Sequence, residues 1–384
     1  MKKKRILIVA TSALPIDKFY SAHIKRLALH NSLFLCFGSS QYQLPLSLST
    51  YIAKTISIPL KRKPSPFHDF ISLLLLIFLI LYLRPDLIIT TTPKAGLLTH
   101  LSAYLLCPKR IHYFTGQVWA NSQSPLYTLY RYVDKTISVL ATHHLVDSPG
   151  QLEFLRKQNI LSSSQGCVLG SGSISGVDTS FFKPSLSQRQ LFRRANSISP
   201  NEIVILYLGR IARAKGILEL LTAFQSLSST YSNITLLLVG PIEDQEFMSL
   251  ATLYSSSSLN KVIYKPYTRT PQLFMQSSDI FCLPSHREGF GSVVIEASAC
   301  QLPVVCSKIY GLESSIVDSE TGLYFEPHNA LDLAEKLNIF ISNMQLRSDA
   351  GKKGRSRTLQ LFEQNLVSRN FEHYITNLLS TRPR

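Results

Sequence analysis

The sequence predicts an α/β protein of two domains, each a parallel sheet with helices on both faces. Three observations carry this. Short runs of Val, Ile, Leu and Phe, each the length of one strand buried on both faces, alternate with helical stretches along the chain. The 384 residues suffice for two such domains. A polar stretch from Ser185 to Asn201, carrying Arg189, Arg193 and Arg194, interrupts the alternation, which then restarts. The domains are accordingly placed at 1–184 and 185–365, with 366–384 a separate final helix.

Ile6 to Ala10 reads as a buried strand, followed by a helix from Phe19 to Leu29. Strands follow at Leu33–Phe37 and Ile52–Pro59. The apolar helix Phe70–Leu83 is stopped by Arg84-Pro85-Asp86. Leu87–Thr90 is a strand, and Pro93-Lys94-Ala95-Gly96 opens a helix through Leu105. The strand Arg110–Phe114 ends at Thr115-Gly116-Gln117, and a helix runs from Leu126 to Leu140. Then come a strand at His144–Asp147, a helix at Pro149–Gln158 and a strand at Gln165–Leu169. In the second half, strands are expected at Ile203–Leu208, Thr235–Val239, Val262–Tyr264, Asp279–Leu283, Pro303–Cys306 and Thr321–Phe325. Helices are expected from Gly216 to Leu227 and over Phe247–Tyr254, Thr270–Gln276, Ala330–Ile341, Met344–Leu361 and Leu366–Leu379, with one more from Ser292.

The six cysteines show no metal-type spacing and sit mostly in apolar runs, as reduced thiols in a cytosol would. Ile6–Ala10 is too short to be the core of a signal peptide. The net charge of +16 is lopsided: residues 1–184 carry 20 Lys+Arg against 7 Asp+Glu, residues 185–384 carry 20 against 17. A basic half faces phosphates. No nucleic-acid module is present, so an anionic membrane surface is the expected partner and nucleic acid is not. The apolar run Phe70–Leu83 is shorter than the roughly 20 residues a spanning helix needs. It reads as a buried core helix, as a helix with one face in the bilayer interface, helped by Lys61-Arg62-Lys63, or as a span.

Two stretches carry the chemistry. In Leu283–Pro303 a strand leads through Pro284-Ser285-His286-Arg287 to Glu288-Gly289-Phe290-Gly291, then to a helix containing Glu296. A helix N-terminus entered through glycines offers N–H groups to phosphate or polarised hydroxyls, and a carboxylate before it accepts from hydroxyls. In Gly209–Gly216 a polar loop sits between strand and helix, at the end of a parallel sheet where ligands bind, and spaces Arg210 and Lys215 to converge on one anion. A surface strand-turn-helix and a solvated basic turn are the bland readings of these stretches. Their occurrence together, in this order, argues against both.

Glu288, Glu296, the GFG between them and Leu302-Pro303-Val304-Val305 behind, with Arg210 and Lys215 ahead, resemble the signature of family 4 retaining glycosyltransferases of the GT-B fold. The resemblance covers nearly the whole chain. It implies two Rossmann-like domains facing across a cleft, the last helix crossing back onto the first domain. It implies catalytic roles for Glu288, Arg210 and Lys215, with Glu288 on donor hydroxyls and the two cations on the leaving diphosphate. It places the donor among Gly209, Tyr267, Phe290, Gly291 and Ser292, with Glu296 on both ribose hydroxyls and uracil near Tyr264–Tyr267. No Asp-x-Asp occurs in the chain, so no metal and no cofactor are expected, the donor being a UDP-sugar substrate.

Acceptor residues are expected at Lys94, Thr115, Gly116, Gly172 and Ser173. Lys94 opens a helix after a strand, where it serves as a phosphate site or merely as part of a helix cap. The run Gly170–Gly176 is an anion nest or a flexible hinge. With Thr115-Gly116-Gln117-Val118-Trp119 these stretches resemble the capsule and O-antigen branch, whose members extend sugars on polyprenyl diphosphate. Thr115 stands where many members carry a histidine, and His112 lies on the opposite strand face, so no catalytic histidine is assigned. Retention without a nucleophile implies front-side attack with the leaving phosphate as base. The resemblance thus implies transfer of a hexose or N-acetylhexosamine from a UDP-sugar to a lipid-linked saccharide, by a cytoplasmic protein peripheral on the inner face of the membrane. A soluble GT-B enzyme, either a small-acceptor transferase or a nucleotide-sugar epimerase, leaves the basic first half unused. A non-enzymatic basic module leaves the two loops unexplained.

Overall fold

The computed structural model describes residues 3–39, 42–120, 127–247 and 261–381. The chain forms two compact units, Met1–Gly176 with Gln364–Arg384, and Val177–Glu363. The crossing falls at Gly176/Val177, ahead of the expected 184, because the Val177 N–H donates to the Phe362 carbonyl and Phe182 is buried in the second core.

In the first unit, β1 (Lys4–Ala10), β2 (Asn31–Gly38), β3 (Lys54–Ile58), β4 (Leu87–Thr90), β5 (Arg110–Phe114) and β6 (His143–Val146) form one parallel sheet in the order β3-β2-β1-β4-β5-β6. β4 and β5 are buried at every residue, as strands covered on both faces must be. The helices are α1 (Ala13–Leu27), the short α2 (Leu46–Ser49), α3 (Pro66–Leu83), α4 (Pro93–Ala103), α5 (Tyr127–Leu140), α6 (Pro149–Lys157) and, from the chain's end, Gln364–Ser380. That last helix packs on α1: Arg26 pairs with Glu372 at 2.8 Å and His23 stacks on Phe371 at 4.3 Å. The Lys109 ammonium donates to the carbonyls of Leu378 and Thr381 at 2.7 and 2.6 Å.

The second unit repeats the winding. After α7 (Leu186–Ala195), β7 (Ile203–Leu208), β8 (Ile234–Val239), β9 (Lys261–Lys265), β10 (Ile280–Leu283), β11 (Val304–Ser307) and β12 (Gly322–Phe325) pair in parallel in the order β12-β11-β10-β7-β8-β9. Counted from each unit's first strand, both sheets read 3-2-1-4-5-6, the dinucleotide-fold order. Between these strands lie α8 (Ile217–Ser228), α9 (Pro271–Ser277) and α10 (Ser292–Ala299); after β12 come α11 (Ala330–Ser342) and α12 (Met344–Leu361), and the helix Gln364–Ser380 is α13.

A shared clasp fixes each strand order. An aspartate stands just before the fourth strand and accepts from the backbone N–H of the first. Asp86 accepts from Arg5 at 2.9 Å, and Asp279 accepts from Val204 at 2.8 Å. Asp86 otherwise has half-exposed Lys4 beside it, whereas Asp279 takes both Arg189 and buried Arg193.

Three expectations change. Gln165–Leu169 forms a single bridge, Cys167 to Leu145, and no strand: Gly166 has φ +84° and turns the chain out of extended geometry. The expected helix Phe247–Tyr254 lies, after Phe247, outside the described residues; Gln245–Phe247 is one 3₁₀ turn. The apolar helix is not a core helix. α3 buries Ser72, Leu76, Ile80 and Leu83, which fall on one face, and exposes Phe67, Phe70, Leu74, Leu75, Phe78, Leu81 and Tyr82. Its 18 residues, with mean hydropathy 2.1, make it long and apolar enough to cross a membrane by length and composition.

Candidate active site

The 3-2-1-4-5-6 order makes β7 and β10 neighbours whose onward chains leave in opposite directions. Ligands bind in the crevice that opens there, at the carboxyl ends of the strands. Pairing of Ile205 with Ile280 and Leu206 with Phe281 therefore brings Gly209–Gly216 and Pro284–Gly291 together from positions some seventy residues apart in sequence. Contact between the loops is backbone on backbone. Gly216 has φ +70°, and a Cβ there would lie 1.9 Å from the Pro284 carbonyl oxygen, so only glycine fits. The His286 N–H donates to the Ala214 carbonyl at 3.1 Å.

Lys215 and Glu288 meet at this crossing. The Lys215 ammonium lies 2.6 Å from Glu288 Oε1, and both side chains are more than four-fifths buried. The Ser285 hydroxyl at 3.4 Å and the Arg287 carbonyl at 3.5 Å complete its surroundings. Arg210 sits at the end of β7, where its carbonyl accepts from the Tyr207 hydroxyl at 2.6 Å. Its guanidinium pairs with Glu243 in the loop after β8; hydrogen bonding to that carboxylate outweighs burial and pushes the Arg210 pKa up. Gly291, at φ +70°, caps α10 and turns the chain so that the N–H groups of the helix start lie beside the same loop. Ser292 opens α10, and Glu296 follows one turn later, half-buried. The Phe290 side chain is wholly buried against Phe362, which leaves its backbone as the part available to a ligand. Gly209 donates to the Val239 carbonyl, and the Tyr267 ring is 59 % exposed beyond β9.

Sequence reasoning missed Glu243 and Tyr207. Glu243 had a signal: it follows Gly240-Pro241 directly after a buried strand, the same strand-end grammar as the two loops that were found. Tyr207 had none, since it lies inside an unbroken apolar strand.

The proposed acceptor residues lie in the first unit. Thr115 and Gly116 follow β5 and are half-buried. His112 points into a buried cluster, its Nδ1 2.8 Å from Thr90 Oγ1; burial and then neighbouring His100 hold its pKa well below 6.5. The Lys94 ammonium is engaged by Asp69 of α3 at 2.8 Å and by the Lys63 carbonyl at 2.5 Å. Gly170–Gly176 is a packed turn. Ser173, at φ +66° and buried, donates its N–H to the Asp147 carbonyl and accepts from the Gly176 N–H at 3.1 Å; the Ile174 carbonyl lies 2.6 Å from His23 Nε2. Gly172 lies inside this turn. Asp147 Oδ1 is buried beside it without a hydrogen bond, and burial pushes that carboxyl up to about 7.

Two units of dinucleotide-fold order, one with paired cations and carboxylates at its switch point, define a GT-B sugar transferase. The chain belongs to the group 1 glycosyl transferases, the GT4-type family, and is an enzyme that transfers sugars. The profile described as "Glycosyl transferases group 1" matches residues 188–357. The chain is 30 % identical over 324 residues, 84 % of each chain, to the capsular polysaccharide biosynthesis glycosyltransferase CapM of Staphylococcus aureus. It is 26 % identical over 231 residues, 57 % of this chain and 56 % of that one, to the N,N'-diacetylbacillosaminyl-diphospho-undecaprenol alpha-1,3-N-acetylgalactosaminyltransferase of Campylobacter jejuni. Its fold matches Anabaena HepE in complex with UDP, with TM-score 0.79 at 17 % identity, over 97 % of this chain and 100 % of that one.

Proposed function

We propose that the chain transfers a hexose or N-acetylhexosamine, with retention, from a UDP-sugar to a polyprenyl-diphosphate-linked saccharide in capsule or O-antigen assembly. The observation that carries this is the Lys215–Glu288 pair at the β7/β10 switch point, with Arg210 beside it. A UDP-bound fold neighbour and two relatives of polysaccharide and lipid-linked chemistry support the donor and the acceptor.

The diphosphate takes over the two cations. Here Arg210 is matched by Glu243 and Lys215 by Glu288. As the sugar C1–O bond breaks, negative charge grows on the leaving β-phosphate, and Arg210 and Lys215 stabilise it. Glu288, freed from part of its ion pair, accepts from donor hydroxyls. Glu296 holds the ribose, the amides of Phe290, Gly291 and Ser292 hold sugar and phosphate oxygens, and Gly209 and Tyr267 flank the nucleotide. The acceptor hydroxyl attacks C1 from the departing side, and its proton passes to the phosphate oxygen that leaves. No metal takes part in this step. Thr115, Gly116, Gly172 and Ser173 contribute to acceptor binding, with Lys94 available only when it exchanges Asp69 for a phosphate.

The acceptor's lipid places the protein at an anionic membrane surface, on the cytoplasmic side. α3 supports this: its exposed phenylalanines follow directly on exposed Lys61, Arg62 and Lys63, the pairing of apolar face and cationic flank that seats a helix in a headgroup layer.

The test is a transfer assay with membrane extract and a panel of labelled UDP-sugars. Label entering the organic-extractable lipid from one donor names the sugar, and the anomeric configuration of the product tests retention. Label that stays in water on a small glycoside would replace the lipid-linked acceptor with a soluble one.

A further inference from the structure

Glu219, His286 and His328 form a cluster outside the donor chemistry described above. Glu219 lies in the first turn of α8, four residues after Lys215. His286 lies in the loop after β10, two residues before Glu288. His328 precedes Asn329, the cap of α11. His286 Nε2 is 3.0 Å from Glu219 Oε1, and His328 Nδ1 is 3.5 Å from the same oxygen. One ligand atom from each of the three lies within 4.8 Å of the others.

Ligands bound to zinc at about 2.0–2.1 Å and set tetrahedrally are about 3.3 Å apart, so this trio needs little movement to close on one ion. Two further features favour a ligand over an ordinary ion pair. The imidazoles lie 3.7 Å apart between centroids, tilted by 41°. His328 also holds φ +64°, a left-handed conformation that costs a non-glycine residue, while its side chain, 62 % exposed, is aimed at Glu219. Glu219 supplies a carboxylate oxygen, and its side chain is more than four-fifths buried.

We propose that Glu219, His286 and His328 bind one divalent transition-metal ion, zinc by the chemistry of the set, leaving a fourth position to solvent. The ion supplies no step of sugar transfer. It ties the start of α8, the loop leading to Glu288 and the cap of α11 to one centre, so that the segments carrying Lys215 and Glu288 are braced from behind. Two neutral imidazoles and one carboxylate suit zinc, cobalt or nickel over magnesium or calcium, which prefer all-oxygen shells.

The experiment uses the tag-free full chain, stripped with chelator and titrated with Zn²⁺ by calorimetry. Co²⁺ is then added in place of zinc, and its visible spectrum is read for low coordination number. One ion per chain is expected, with the melting temperature rising as zinc is added. Exposed His328 can be removed without disturbing packing, so His328→Ala should remain folded, bind at least about tenfold more weakly and lose the zinc-dependent melting shift. Glu219→Gln should do the same. Uptake that is absent, that fails to saturate at one ion, or that survives unchanged in His328→Ala overturns the site. None of these readouts depends on which sugar or acceptor the enzyme uses.

Discussion

In the first unit the switch point between β1 and β4 is finished in hydroxyls: the Thr11 N–H donates to Thr92 Oγ1 at 3.1 Å, and Tyr20 and Thr91 share a buried hydrogen bond. In the second unit the same topological place, between β7 and β10, is finished in charges, Lys215 on Glu288 and Arg210 on Glu243. The strand order is identical, so the backbone sets where a site can form and the residues at the strand ends set what it binds. One switch point is neutral and lined by paired hydroxyls, the other is charged. The helix joining third and fourth strands differs as well. α9 is seven residues with Phe274 and Met275 buried, whereas α3 is eighteen with its phenylalanines outward.

The largest effect tests the clasp that both units share. Asp279→Ala strands buried Arg193 and should cost about 3–5 kcal/mol of stability, whereas Asp86→Ala, beside half-exposed Lys4, should cost about 1 kcal/mol. Equal losses in chemical denaturation would erase the contrast. Next comes the switch itself: Lys215→Ala or Glu288→Gln should lower kcat about 10²–10³-fold in enzyme that still folds, with a lowered melting temperature because each leaves a mostly buried partner unpaired, while Thr115→Ala in the first unit should raise the acceptor KM and leave UDP binding intact. An active Lys215→Ala enzyme would remove the charged switch from the mechanism.

Acid should separate the units. Burial depresses His23 and His144 to about 4 and His100 to about 3 in the first unit, the last with help from Arg110. Below pH 6.5 the unfolded chain takes up protons that these folded imidazoles refuse, so stability falls as pH drops from 6.5 to about 4. Asp134 and Asp147, raised to about 7 by burial, work the opposite way over roughly the same range, but the histidines outnumber them. Trp119, the chain's single tryptophan, lies in the first unit and donates to Asp134 at 2.7 Å. Its fluorescence should therefore report first-unit unfolding on acidification, ahead of loss of UDP binding in the second. The smallest effect is at α3: Phe67→Ser with Phe78→Ser should leave stability within about 0.5 kcal/mol and weaken sedimentation with anionic vesicles. Unchanged sedimentation would detach α3 from the membrane.

Much of this was legible in the sequence because buried parallel strands are written as unbroken apolar runs and glycines punctuate the loops that follow them. Gly216 and Gly291 are glycines for steric reasons, so their spacing from Lys215 and Glu288 survives as a readable pattern. Partners supplied from elsewhere in the chain were not legible. Nothing near Lys94 announces Asp69, and although Glu243 stands at a readable strand end, nothing near Arg210 names it as the partner, because each contact is made by packing rather than by sequence distance. The buried face of α3 was hidden for another reason: when nearly every residue of a helix is apolar, periodicity carries no direction, and only the neighbouring sheet and α4 choose the face.

The second unit is one uninterrupted stretch, Val177–Glu363, while the first is completed only by residues after it. During synthesis the chain's opening 176 residues therefore emerge without α13, and α1 waits with Tyr20, His23 and Ile24 uncovered until Phe371 and Ile375 arrive. The later-made unit can close first, and the earlier-made one is sealed last. Shortening the C-terminus should thus injure the N-terminal half, whose α1 has no cover without α13.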